Sequence, residues 1–284
     1  MIAFLALFGA AGLVWLLIEP HCYRMTHFHA ECPKISKPLR ILHLSDIHFA
    51  YPDSGLSRFF DRLSKLDPDL IFITGDVIDC REGVAVAAEQ LAKLRSKHGI
   101  FAVMGNHDYY NYRLYDSLFH SKQGDRRHPL LRNGTLKLRG VYKKLKIKEL
   151  RNQSLHLEIE GQRVGVHGVD DPVTGHADLT RIRPEKGSGV VNLLLSHTLD
   201  VLFGLSDHEI DVCFSGHTHG GQICIPFWGA VVTFSRVGRR YAAGLHRFMD
   251  IVCCVSRGMG SGRFMRIRFF SRPEAIMFTL NSQK

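Results

Sequence analysis

Five short motifs place carboxylate, imidazole and amide side chains at the ends of apolar runs. They are Asp46-Ile47-His48, Gly75-Asp76, Gly105-Asn106-His107-Asp108, Ser196-His197 and Gly216-His217-Thr218-His219. The mixture suits manganese, iron or zinc. It lacks the thiolates of a structural zinc site and is too rich in nitrogen for calcium. Asp46, His48, Asp76, Asn106, His197, His217 and His219 offer more ligands than one tetrahedral ion takes. They suit two ions that share a carboxylate and keep positions open for water and substrate. Taken singly, each motif is weak: Gly-Asp after a strand is often only a turn. Most of the 17 histidines must be surface or satisfied core residues. The conjunction of all five motifs is not explained by turns.

The motifs can converge only if the elements before them deliver them to one edge. Residues 40–44, 70–74, 101–104, 191–195 and 212–215 are short and apolar throughout, as expected of buried strands. Between the early ones, Leu56, Phe59, Phe60, Leu63 and Leu66 recur at helical spacing, and residues 84–94 read similarly. Strands alternating with helices predict an α/β layered fold, with the ligand crevice at the carboxyl ends of the strands. Residues 155–169 and 223–280 read as richer in strand.

The rest of the chain bounds the setting. A chain of 284 residues with 45% hydrophobic and 23% charged residues is neither disordered nor fibrous. Residues 1–18 carry no charge and end at Glu19-Pro20. As a helix they span roughly 27 Å, close to a hydrocarbon core. Residues 1–20 therefore read as an N-terminal membrane anchor helix. No second run of similar length follows, which excludes a multi-span protein. Arg24, Lys34, Lys37 and Arg40 follow the run and no Lys or Arg precedes it. The positive-inside rule then places the body on the cytoplasmic side of the inner membrane. The seven cysteines are odd in number and show no framework spacing, which fits a reducing compartment. Residues 21–38 read as a linker and 39–284 as one domain. Within it, residues 122–148 hold ten bases against Asp125 alone and read as a basic surface insertion, a lid or a membrane contact.

The motifs resemble the blocks of the calcineurin-like metallophosphoesterases, with Gly75-Asp76-x-x-Asp79 as the second block. The likeness runs from about residue 40 to 280. It implies a two-sheet sandwich flanked by helices and a metal-dependent hydrolase acting on phosphoester or phosphoanhydride bonds. By that resemblance Asp46, His48 and His219 hold one metal. Asn106, His197 and His217 hold the other, and Asp76 bridges them. His107 is then the catalytic histidine that faces the phosphate and leaving group, with Asp79 orienting it. Asp108 could do the same, and the sequence does not separate the two. Manganese is the first expectation for the pair of divalent ions, with iron or zinc as alternatives.

A finer likeness rests on Gly216–Gln222 read as GHTHGGQ, on Gly168-Val169-Asp170-Asp171, on Val255–Gly260 and on Arg268–Glu274. It resembles a membrane-anchored branch that contains phosphodiesterase-like proteins and UDP-2,3-diacylglucosamine pyrophosphatases. That branch often carries His-x-Pro-Asp, whereas here His197-Thr198-Leu199-Asp200 lacks the proline. Nine arginines between 236 and 272, with Asp250 the only acid among them, suit a phosphate-bearing partner or anionic headgroups. The expected substrate is a lipid-linked nucleotide at the membrane. The alternatives are another cell-envelope or nucleotide phosphodiester and a non-catalytic scaffold of the same fold. No nucleic-acid fingerprint is present, so no nucleic-acid partner is expected.

Overall fold

Apolar runs without polar alternation need cover on both faces, and two stacked sheets supply it. The computed structural model describes residues 12–112, 134–187, 189–205, 209–264 and 266–283. The first sheet has the order β1 (Arg24–Cys32), β14 (Glu274–Ser282), β2 (Leu39–Leu44), β3 (Leu70–Thr74), β4 (Ile100–Val103) and β5 (Lys148–Glu149). The second has the order β12 (Gly244–Phe248), β13 (Ile251–Val255), β9 (Val212–Ser215), β8 (Val190–Leu195), β7 (Gln162–Gly168) and β6 (Gln153–Ile159). A small hairpin, β10 (Cys224–Ile225) and β11 (Gly229–Ala230), stands apart from both. Both sheets are mixed. Strands β2 to β5 run parallel in one and β7, β8, β9 and β13 run parallel in the other. The fold is α/β.

The inner faces interlock through aliphatic and aromatic side chains. Ile41, Phe72, Phe101 and Phe278 of the first sheet meet Val166, Leu193, Leu195 and Phe214 of the second. Phe214 is the pivot, edge-on to Phe72 and to Phe278 with ring centroids 5.1 Å apart in each pair. The outer face of the first sheet packs on helices α1 (Ser54–Leu63), α2 (Gly83–Leu91) and α4 (Thr135–Leu145). Helix α1 forms because Leu56, Phe59, Phe60 and Leu63 share one buried stripe. Asp53 caps it by accepting from the Leu56 N–H at 2.9 Å. The short α3 (Asn106–Tyr109) follows β4 directly. Among the described residues, 3-10 turns cover the outer face of the second sheet, with Leu199, Val201 and Leu202 against Cys213 and Val255.

Three features differ from the sequence reading. The segment 21–38, expected as a linker, contains β1, which pairs parallel to β14 over its whole length. Phe28, Ala30 and Cys32 turn inward while His27, His29 and Glu31 face out. Three polar outward residues hid a two-residue alternation. The stretch 122–148 is not simply a surface insertion. Residues 122–133 lie outside the described residues, but α4 buries Leu138 and Tyr142 against the helical layer. Of the expected anchor, residues 1–11 lie outside the described residues and 12–18 are helical. No helix among the described residues is long and apolar enough to cross a membrane.

Phe214→Ala removes the ring on which both sheets converge. The expected loss is about 3–5 kcal/mol of unfolding free energy. Urea denaturation followed by circular dichroism checks it.

Candidate metal centre

Parallel strands from both sheets end at one edge, and the polar motifs follow immediately. Strands β2, β3 and β4 lead into Asp46 and His48, Asp76, and Asn106 with His107. From the second sheet, β8 leads into His197, and β9 into His217 and His219. Asp46, His48, Asp76, His217 and His219 all have φ between 47° and 70°, the left-handed region. For non-glycine residues that costs of order 1–3 kcal/mol each. The strain persists because each turn must swing its side chain back across the strand end. Neighbouring glycines leave the room. A Cβ on Gly216 would lie 2.0 Å from Asp46 Oδ2, and one on Gly258 would lie 2.6 Å from Asp46 Cβ.

The structure brings together all seven residues expected as ligands. One cluster is Asp46, His48 and His219, and another is Asp76, His197 and His217. Asp76 Oδ2 lies 3.6 Å from His48 Nε2 and 3.4 Å from His197 Nε2, so it stands between the clusters. Its other oxygen accepts the His107 backbone N–H at 2.8 Å. Asn106 Oδ1 is 3.2 Å from His197 Nε2, and His217 Nδ1 is also 3.2 Å from it. His48 Nε2 and His219 Nε2 are 3.2 Å apart, and His219 Nε2 is 3.7 Å from Asp46 Oδ1. Spacings of 3 to 4 Å are the edges expected of donors that each sit about 2.0–2.2 Å from a shared cation.

Ring tautomers agree with ligation on two of the histidines. His48 Nδ1 lies 3.1 Å from Asp79 Oδ1, and His197 Nδ1 lies 2.8 Å from the Thr74 carbonyl. Both partners only accept. In the neutral ring the proton is therefore on Nδ1 and the lone pair is on Nε2, facing the centre. At His219, Arg268 Nη2 is 3.2 Å from Nδ1, so ligation through Nε2 has to displace a proton.

The carboxylates have separate roles. Asp79 Oδ1 sits 3.0 Å from His107 Nδ1 as well as beside His48, while Oδ2 accepts the Arg263 backbone N–H at 3.0 Å. Burial alone would raise its pKa. The hydrogen bonds from His107 and His48 outweigh that and hold it well below the usual carboxylate range. Asp108 does not approach His107 in this way. It accepts from the backbone N–H groups of Val77, Ile78 and Gly105 and so ties the β3 and β4 turns together. Burial, with the Asp76 charge in second place, pushes its pKa up to about 7. For Asp76, burial again opposes ionisation, but His197 and His107 hold its pKa well below the ordinary value.

Sequence reasoning grouped the arginines of 236–272 as one basic surface and so missed two internal roles. Arg268 is fully buried, and burial lowers its pKa to about 10. It donates to the carbonyls of Arg257, Gly260 and Ser271 and braces the loop over Asp46. In that loop Gly260 N donates to the Asp46 carbonyl at 2.7 Å. Arg263 reaches Asn111 and the Tyr112 carbonyl beside His107. The only sequence signal for these two is position: both lie in the glycine-rich return between β13 and β14.

A family model for calcineurin-like phosphoesterases matches residues 39–221, more than half of the chain, and the chain belongs to that family. Members use divalent metals and hydrolyse phosphoester bonds. Among its relatives, the uncharacterized metallophosphoesterase YkuE of Bacillus subtilis is 27% identical over 93% of this chain and 88% of its own. The UDP-2,3-diacylglucosamine pyrophosphatase LpxG of Chlamydia trachomatis is 28% identical over 95% of this chain and 93% of its own. The phosphodiesterase YaeI of Escherichia coli is 29% identical over 86% of this chain and 82% of its own.

Asp79→Ala leaves His48 without the acceptor that fixes its ring. The expected result is metal affinity lower by about 10- to 100-fold, read by competition with a chelator. Unchanged affinity would contradict a ligand role for a His48 oriented through Nδ1.

Proposed function

We propose that the chain is a dimetal phosphohydrolase that cleaves the pyrophosphate bond of membrane-borne UDP-2,3-diacylglucosamine. The products are UMP and the acyl-sugar 1-phosphate, a step of lipid A assembly. In this reading the body faces the cytoplasm at the inner membrane. The observation that carries the reaction class is the position of Asp76 Oδ2 between His48 and His197, with His107 held beside it on Asp79. In the assignment, Asp46, His48 and His219 would hold one ion and Asn106, His197 and His217 the other, with Asp76 shared between the two sets. The substrate reading is supported by the pyrophosphatase relative, by the uncharged run 1–18 and by the exposed arginines near the site.

Bound there, two divalent ions, manganese by preference, supply a water acidified toward neutral pH and neutralise phosphoryl charge. The chain's own groups do the rest. Asp46 and Asp76 are fixed by backbone donors, His217 N–H to the first and His107 N–H to the second. They therefore need little reorganisation as charge develops. Asp79 holds a proton on His107 Nδ1 and leaves Nε2 to donate to the oxygen that leaves phosphorus. One P–O bond of the anhydride breaks, the oxygen of water ends on phosphorus, the departing phosphate takes the His107 Nε2 proton, and the proton released by the water restores that ring. Burial of His48 and His197 keeps bulk water from the ligand side of the centre.

Two expected outcomes test this. Manganese-loaded protein hydrolyses bis-p-nitrophenyl phosphate, and His107→Ala lowers kcat by about 10²- to 10⁴-fold with the metal content kept. A metal-loaded protein inert on every phosphoester tried would leave a non-catalytic scaffold. Separately, UMP is released from UDP-2,3-diacylglucosamine in mixed micelles, followed by chromatography. Intact generic activity without UMP would reject the lipid substrate and favour another phosphodiester, as the similarity to a phosphodiesterase allows.

A further inference from the structure

We propose that one face beside the metal centre is a bilayer-docking surface. There the β10–β11 hairpin and the chain after it insert aromatic side chains among anionic headgroups. The proposal rests on the reading of the substrate as membrane-borne and names the surface that brings the site to it.

Three neighbouring segments build the face. The first is the hairpin and its continuation. Phe227 is fully exposed at the tip with φ 66°, Trp228 is 59% exposed and Phe234 is 61% exposed. Three large aromatic side chains this exposed within eight residues mark a surface suited to an apolar partner. Arg236, Arg239 and Arg240 are exposed beside them, and no acid occurs between 224 and 240. The Arg239 guanidinium lies 4.3 Å over the Trp228 ring. The second segment is 266–272, which lies against the hairpin's root. Cys224 N–H donates to the Phe269 carbonyl at 2.8 Å, and Phe269 N–H donates to the Gln222 carbonyl at 3.0 Å. This segment exposes Phe270, Arg266 and Arg272. The third is the N-terminal helical stretch 12–18, which docks on the second. The Leu16 carbonyl accepts from Arg268 N–H at 3.1 Å, and the Glu19 carboxylate accepts the backbone N–H groups of Phe270 and Ser271 at 2.9 and 2.7 Å. Leu13, Leu17 and Ile18 are exposed along it.

The composition selects the occupant. Trp and Phe flanked by exposed Arg, with Glu19 buried beneath them on the Phe270 and Ser271 N–H groups, match the headgroup boundary of an anionic bilayer. The uncharged run 1–18 leads directly into Glu19, whose carboxylate docks on this face. A protein partner explains the apolar side chains but not the excess of exposed arginine, Arg236, Arg239, Arg240, Arg266 and Arg272. The hairpin is also tied closely to the chemistry. Only Gly220 to Ile223 separate His219 from Cys224. A Cβ on Gly221 would lie 2.3 Å from Ala230 Cβ, and Ser271 Oγ donates to the His219 carbonyl at 2.7 Å. The depth at which Trp228 sits therefore fixes the height of the metal centre above the lipid phosphates.

The chain's two tryptophans make the test direct. In full-length Trp15→Phe protein, Trp228 is the sole reporter. Reconstituted in phosphatidylglycerol-rich vesicles, it is expected to lose roughly half its emission to lipids brominated high in the acyl chain and to be shielded from aqueous iodide. Phe227→Asp with Phe234→Asp is expected to keep the rate on bis-p-nitrophenyl phosphate and to lower UMP release from vesicle-borne substrate by about tenfold. Trp228 unquenched by brominated lipid and open to iodide overturns the proposal. So does Trp228 shielded from iodide but unquenched by lipid in a chain that sediments as a dimer, since a second copy then covers the face. Trp228 quenched by lipid in a protein inert on every phosphoester supports the surface while the catalytic reading fails.

Discussion

A carboxylate oxygen with a buried imidazole nitrogen on either side is the constraint that organises this molecule. Asp76 Oδ2 is held 3.6 Å from His48 and 3.4 Å from His197. His48 and Asp76 belong to the first sheet and His197 to the second. The trio can meet only if parallel strands of two sheets end at the same edge, with the sheets stacked so that neither can slide. Phe214, wedged between Phe72 and Phe278, resists such a slide. Without a cation, the cluster of carboxylates and imidazoles is coupled only through shared protons. The left-handed turns at five of its residues add strain of order 1–3 kcal/mol each. A site of this kind is stabilised by what it binds.

Much of this edge was legible in the sequence, because the strand runs and the motifs are local. Residues 70–74 and 212–215 read as strands with the bounds the structure gives them. The helical stripe at Leu56, Phe59, Phe60 and Leu63 needs no tertiary information to be seen. For the partner of His107, the resemblance pointed to Asp79 and left Asp108 open as an alternative. Asp79 and Asp108 are each close to it in chain order of motifs, and only the fold separates them. One points at the imidazole, and the other is spent on three backbone donors. Strand β1 was hidden for a different reason. His27, His29 and Glu31 alternate with Phe28, Ala30 and Cys32, but the period breaks at Thr26-His27, so only six residues carry the signal.

Charge shows the same division between what a sequence counts and what a fold does with it. The arginines between 236 and 272 look alike as residue types. Arg268 is buried, and its guanidinium is shared among the carbonyls of Arg257, Gly260 and Ser271, the Ser261 hydroxyl and His219 Nδ1, bracing the loop over Asp46. Arg257 is paired with the buried Glu274 at 3.1 Å, which also holds Arg24 of β1. Arg263 leans on Asp79 and on the chain that follows His107. These are internal positions, where planar, multiply donating guanidinium groups serve as braces. Only Arg236, Arg239, Arg240, Arg247, Arg266 and Arg272 remain on the outside.

The chain from His217 to Cys224 joins the two halves of this picture. Its first part supplies imidazoles to the centre, and its last part pairs with Phe269 and begins the aromatic hairpin. Gly220 and Gly221 adopt left-handed φ of 63° and 85°, so the backbone reverses within one turn instead of extending. A longer or looser connection would let hairpin and centre move independently. With this one, a force on Trp228 is transmitted through Ala230 to Gly221 and through Ser271 to the His219 carbonyl. The ligand geometry and the apolar surface are thus coupled by packing over a few residues, and that coupling needs no hinge or mobile lid.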